Sequence, residues 1–160
     1  MLSGMAVGTA LVALTILVHY EALRLISRVL PRLTAVPPRP RILFVIFAVF
    51  AAHTIEVYIY AMGYWLLHAW GAGVDGAGLM HVGGKPADDF ETLIYFSAVS
   101  YTSLGFGDIA PLGGLRIVSG IEGLNGLLMI GWSASFTYLC MERLWPLHAE
   151  RRGGHHPKSD

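Results

Sequence analysis

Charge is what this sequence has least of. Only 14% of its 160 residues are Asp, Glu, Lys or Arg, where an ordinary soluble domain carries about 25%. With 54% hydrophobic residues and a mean hydropathy of +0.56, the chain is too apolar for that class. Basic and acidic residues balance to a formal net charge of +0, so nothing points to nucleic acid as a partner. Cys140 is the lone cysteine, which excludes an intrachain disulfide; it reads as a small apolar residue on a helix. No nucleophile, base and oxyanion constellation and no phosphate-cradling loop is present, which argues against an enzyme. No basic n-region or small-residue cleavage pattern accompanies the first apolar run, so a secretory signal is the weaker reading of it.

Long apolar runs remain, and the length allows one domain. A membrane span needs about 20 apolar residues. Gly4 to about Ile26, Ile42 to Trp70, and Leu115 to about Leu144 each meet that length. Arg24, Arg28 and Arg32 recur every fourth residue and would form one helical stripe. With Arg39 and Arg41 they make the first connection basic, which places it on the cytoplasmic side. Pro31, Pro37, Pro38 and Pro40 are expected to break the helix there. The arginine stripe is also a candidate site for an anionic lipid.

Tyr58, Tyr60, Tyr64, Trp65 and Trp70 give the far half of the second span the aromatics of an interfacial belt. Gly71 to Gly84 is glycine-rich and reads as an exposed loop. Asp88 or Asp89 would cap a short helix running to about Tyr101, with Glu91 in its first turn. That helix is too short to span, and its C-terminal end carries partial negative charge. It points at Tyr101-Thr102-Ser103-Leu104-Gly105-Phe106-Gly107-Asp108. Its glycines allow backbone angles that other residues resist. Bare backbone at membrane depth is tolerated only where it is buried in protein or lines a watery path. The stretch is therefore expected to line an ion path.

The order of apolar span, short helix, Thr102-Ser103-Leu104-Gly105-Phe106-Gly107-Asp108 and apolar span resembles the pore module of potassium channels. The family signature is commonly written T-T-V-G-Y-G-D, and small bacterial two-span channels are the nearest form. The resemblance covers about Ile42 to Trp145; Ile121-Glu122-Gly123-Leu124-Asn125-Gly126 adds to it, since inner helices of such channels often carry Glu followed by Gly. It implies an all-α membrane protein with three transmembrane helices, a re-entrant pore helix, a selectivity-filter loop and a homotetrameric pore. Residues 1–41 would form an extra N-terminal span and a basic cytoplasmic linker. Residues 42–145 would form the pore module: outer helix 42–70, outer loop 71–88, pore helix 89–101, filter 102–108 and inner helix 115–144. Residues 146–160 would be a disordered cytoplasmic tail.

Carried over residue by residue, the ion-binding filter is Thr102, Ser103, Leu104, Gly105, Phe106 and Gly107. The carbonyls of Ser103, Leu104, Gly105 and Phe106 would replace the hydration shell of K+, the permeant ion, with no resident cofactor. Asp108 matches the acid behind the outer mouth, with Tyr95 as its expected partner. Ser103, Leu104 and Phe106 stand where the signature has Thr, Val and Tyr. Val99 sits where some members carry a buried acid. A multi-pass protein of the inner (plasma) membrane follows, with its N-terminus outside and C-terminus cytoplasmic.

Other polar residues interrupt the spans. His53 and Glu56 lie one turn apart. At about 1.5 Å per residue, His53 falls about 16 Å above an inner boundary at Ile42 and Glu122 about 15 Å below an outer boundary near Leu112. The two are expected to share one buried network, either as a pH-sensitive gate or as satisfied structural hydrogen bonds. Gly126 is the hinge candidate of the third span, while Gly120 and Gly123 suit close packing. His19, Tyr20 and Glu21 read as an interface contact. Three alternatives stand beside potassium conduction. One is a weakly selective cation channel. Another is an intramembrane haem or proton-handling protein built on His19, His53, Glu56 and Glu122. The third is a non-conducting subunit of a larger channel. The first span has no arginine ladder in its apolar core, which argues against a voltage sensor.

Overall fold

The computed structural model describes residues 2–70, 78–87 and 89–144. The tail 146–160, part of the outer loop and Asp88 lie outside the described residues. Helix α1 spans Leu2–Val29 and passes through a tight turn, Leu30–Arg32, before α2, Pro38–Trp70. Strand β1 (Gly78–His81), helix α3 (Phe90–Tyr101), strand β2 (Ile109–Leu112) and helix α4 (Leu115–Leu144) follow. Three of the helices, α1, α2 and α4, are long and apolar enough to cross a membrane. The chain is a helical membrane protein with a short helix seated among its spans.

Local chemistry sets several boundaries. Pro38 and Pro40 lie inside the first turn of α2 rather than breaking the chain up to Ile42. A first-turn residue has no helical acceptor for its N–H, so proline is accommodated there. Arg41 reaches back and ties the preceding loop, donating from Nε to the Val36 carbonyl at 2.6 Å and from a guanidinium nitrogen to the Thr34 carbonyl at 2.7 Å. Helix α3 begins at an Asp89 cap, whose carboxylate accepts from the Thr92 N–H at 2.9 Å and the Thr92 hydroxyl at 2.7 Å. The cap bonds hold the Asp89 carboxyl below its usual range.

Helix α3 sits against α2 and α4, and α1 packs along both of those spans. Tyr60, Tyr64, Leu93, Phe96, Tyr101, Leu115, Val118 and Met129 form one buried cluster; Leu23, Ile26, Val45, Val49 and Cys140 form a second. Tyr60 and Tyr64 are therefore core residues, not members of an interfacial belt, while Tyr58 and Trp65 are exposed. The Tyr64 ring meets Phe96 of α3 edge to face, with centroids 5.4 Å apart. Helix α4 runs unbroken through all its glycines.

The glycine-rich loop is not wholly irregular. Residues 78–81 pair antiparallel with 109–112, Gly78 opposite Leu112 and His81 opposite Ile109. The Val82 N–H extends the pairing to the Asp108 carbonyl at 2.9 Å. Leu79 and Ala87 bury beneath it, so apolar cover and backbone satisfaction together order this part of the loop.

Candidate pore site

Among the described residues, the segment after α3 is where the backbone departs most from regular structure. Thr102 closes the helix, with its N–H and hydroxyl both bonded to the Ala98 carbonyl, at 3.1 and 2.7 Å. Positive φ then falls on every second residue: Ser103 at 58°, Gly105 at 55° and Gly107 at 79°. Residues of opposite hand in alternation turn successive peptide groups the same way, so their carbonyls can share one side. Glycine takes this hand without a Cβ penalty; Ser103 takes it at a steric cost. Thr102 to Asp108 are exposed in the single chain, with Leu104 at 62% and Phe106 at 66%.

An open cleft of about 610 Å³ lies between this segment and α4, bordered by Tyr95, Val99, Ser103, Asp108, Gly123 and Leu127. At its outer end the Tyr95 hydroxyl donates to Asp108 Oδ2 at 2.9 Å. That bond raises the phenol's pKa. The Phe106 ring lies parallel to Tyr95, with an interplanar angle of 6° and centroids 6.5 Å apart. At its inner end the Ser103 hydroxyl reaches only 3.5 Å from the Gly123 carbonyl. Gly123 and Gly126 seat the end of α3: a Cβ on Gly123 would come 3.3 Å from the Ser100 carbonyl oxygen, and one on Gly126 would overlap the Tyr101 carbonyl. Gly126, the hinge candidate, is thus a close-contact position, whereas Gly120, assigned to packing, meets nothing within 4 Å.

Behind the segment lie two buried polar groups. In the outer one, Glu122 of α4 accepts from the Tyr64 hydroxyl and lies 2.6 Å from the Ser97 hydroxyl. Ser97 Oγ is also 2.9 Å from the Val57 carbonyl. Ser97 has one hydrogen and two acceptors, so both contacts are hydrogen bonds only if the Glu122 carboxyl supplies the other hydrogen. In the inner one, five side chains close a ring. Glu56 Oε1 meets His19 Nδ1 at 2.8 Å, His19 Nε2 meets Ser133 Oγ at 3.1 Å, and Ser133 Oγ meets His53 Nε2 at 3.0 Å. His53 Nδ1 meets the Tyr101 hydroxyl at 2.9 Å, and that hydroxyl returns to Glu56 Oε2. Asn125 bonds Thr15 at 2.9 Å, leaving Asn125 Oδ1 and the Tyr60 hydroxyl buried without a partner among the described residues.

His53 and Glu122 therefore do not share a network. His53 is level with Ser133, and Glu122 with Tyr64, which is about 16 Å further along α2 at the helical rise. Both helices overrun a bilayer core of about 30 Å, so depths counted from their ends were misplaced. His19 is not an interface residue either: it is fully buried, and it brings α1 into the inner ring. Ser97 and Ser133 are not picked out by the sequence, and Tyr64 and Tyr101 stand there only as a belt aromatic and as the start of the glycine-bearing stretch. A hydroxyl on an otherwise apolar helical face was the available signal.

Three spans, a half-length helix and an irregular glycine-bearing segment at its C-terminal end define a pore-loop membrane protein. Comparison with protein families agrees: a family model described as "Ion channel" matches residues 44–142, more than half of the chain. The chain belongs to this ion-channel family. Comparisons with curated proteins and with solved structures returned no match.

Proposed function

We propose that the chain forms a homotetrameric, potassium-selective channel in which residues 102–107 of four copies surround one axis. The alternating backbone hand at Ser103, Gly105 and Gly107 carries this reading, because aligned carbonyls are what a dehydrated K+ needs in place of water. The exposure of the same residues in a single chain supports a neighbouring copy opposite them. The C-terminal end of α3, with its partial negative charge, stabilises a cation beside it. Tyr95 and Asp108 brace the outer mouth, and K+ is the permeant ion with no resident cofactor. The basic connection after α1 and the acidic outer side orient the pore loop toward the outside of the plasma membrane. Arg28 and Arg32 remain candidates for anionic lipid; Arg24 is already paired with Glu21 at 2.8 Å.

Haem ligation fits the geometry poorly. The His19 and His53 rings are 5.1 Å apart, and all four of their nitrogens face hydrogen-bond partners. A macrocycle has no place between them. Liposome flux under potassium, sodium and N-methylglucamine gradients, with barium as blocker, tests the proposal. Potassium flux that barium stops is the expected result. Equal potassium and sodium flux would establish the weakly selective alternative, for which Ser103, Leu104 and Phe106 are the sequence grounds.

A further inference from the structure

The inner ring can be counted hydrogen by hydrogen. It has five contacts: Glu56 to His19, His19 to Ser133, Ser133 to His53, His53 to Tyr101, and Tyr101 to Glu56. Each hydrogen bond needs one hydrogen between its two atoms. Tyr101 and Ser133 bring one each. Two neutral imidazoles bring one each, and an ionised Glu56 brings none. That makes four hydrogens for five contacts. One contact would then be two lone pairs facing each other, in a ring buried except at His53, whose side chain is 19% exposed, and an unmet buried polar group costs about 1–3 kcal/mol.

One further proton closes the ring. On His19 it gives an imidazolium that donates to Glu56 and to Ser133, and Ser133 passes its own hydrogen to His53. On His53 the same chain runs the other way through Ser133. On Glu56 the carboxyl donates to His19 and the bonds circulate in one direction. All three placements give five hydrogens for five contacts, and all three leave the ring with no net charge. A second proton on the imidazoles would take both lone pairs of Ser133, leave the Ser133 hydrogen with no acceptor in the ring, and set two cations with centroids 5.1 Å apart. The Trp132 ring, 5.4 Å from His19, lies within the range at which an aromatic ring stabilises a cation. Beyond the ring's own members, the ionisable groups near it are Tyr60 and Glu122, neither of them a cation.

We propose that Glu56, His19, Ser133, His53 and Tyr101 form a proton-binding site that holds one proton, and that this proton locks α1 to the foot of the filter. Tyr101 is the connecting residue: its side chain closes the ring, its carbonyl abuts Gly126, and Thr102 follows it in the chain. Departure of the proton unmakes one contact and leaves the ring with net negative charge, so Tyr101 loses its hold. The effect on flux rests on the potassium-channel reading above; the proton count does not.

Two measurements on the full chain in liposomes test this. The first is magnetic resonance with 15N-labelled histidine and 13C-labelled glutamate, the signals assigned through His19→Asn and His53→Asn. Near neutral pH the two imidazoles and the Glu56 carboxyl should together carry three hydrogens. Two neutral imidazoles beside an ionised Glu56 overturn the proposal, and so do two imidazoliums. The second is the potassium-to-sodium flux ratio against pH. In the native chain it should fall roughly two- to tenfold as pH rises, the size of one hydrogen bond read as an equilibrium shift. In Glu56→Gln one amide N–H and the amide oxygen complete the ring without a removable proton, which should flatten the profile. Ser133→Ala opens the ring at every pH and should give the low alkaline ratio throughout. A Glu56→Gln profile that follows the native one overturns the coupling. If no variant conducts potassium while three hydrogens are found, the channel reading fails and the proton site stands.

Discussion

Glu56 and Glu122 are equally buried, and both meet a tyrosine hydroxyl, yet they are set in different chemistry. Glu122 has only hydroxyls about it, Tyr64 and Ser97. Glu56 has two imidazoles within reach as well as Tyr101. Depth alone does not decide what a buried carboxyl does; its neighbours' supply of hydrogens does. The contrast also follows the chain. The outer group is made by Tyr64, Ser97 and Glu122 of α2, α3 and α4, all within the residues matched to the ion-channel family. The inner group needs His19, from a helix outside that match.

The comparison is tested most severely at the carboxyls themselves. Glu56→Leu leaves His19 Nδ1 buried and unpaired and takes from the ring its one carboxylate, the partner of His19, while the Tyr101 hydroxyl keeps only His53, an expected loss of about 3–5 kcal/mol. Glu122→Leu orphans only hydroxyls, at about 1–3 kcal/mol. Thermal unfolding in detergent measures both, and equal losses would break the contrast. Gly126→Ala acts on the wall between the two groups. Its methyl meets the Tyr101 backbone, which cannot give way as a side chain can, so about 1–3 kcal/mol is expected, together with reduced flux. Bent inner helices with unchanged stability would restore the hinge reading. Tyr64→Phe sharpens the outer half: it removes one hydrogen bond to Glu122, worth about 1 kcal/mol, and should leave histidine signals of the inner ring unmoved. The smallest effect lies at the outer end of α3. The Asp89 carboxyl is held below the ordinary value of 3.8 by its cap bonds. Its contribution is therefore present above that value and fades as pH falls through the lower folded one. Amide exchange in the first turn of α3 should quicken in strong acid, and Asp89→Asn should remove that acid response while keeping an acceptor.

Much of the helical frame was legible because run length and turn chemistry are local. The sequence reading and the structure agree on α4 at Leu115–Leu144, and Asp89 marks the start of α3. What escaped reading is what depends on two segments meeting. The strand Gly78–His81 lies among glycines and gains its order from Ile109–Leu112, about thirty residues on. His19 looked like an interruption of an apolar helix, since its partner Glu56 is on another span. The expected meeting of His53 with Glu122 failed for the same reason: periodicity gives the face of a helix but not its sliding position against a neighbour. Tyr95 and Asp108 could be paired in advance only through the signature, which carries tertiary information that spacing does not.

The small ladder between β1 and β2 has a mechanical consequence. It fastens the chain just before α3 to the chain just after residue 108, so the excursion between them is cinched at its neck. The drawstring cannot be lengthened at that end without breaking backbone pairs. Rearrangement of residues 102–108 is thereby steered toward their other end, to the tyrosine on which it is moored.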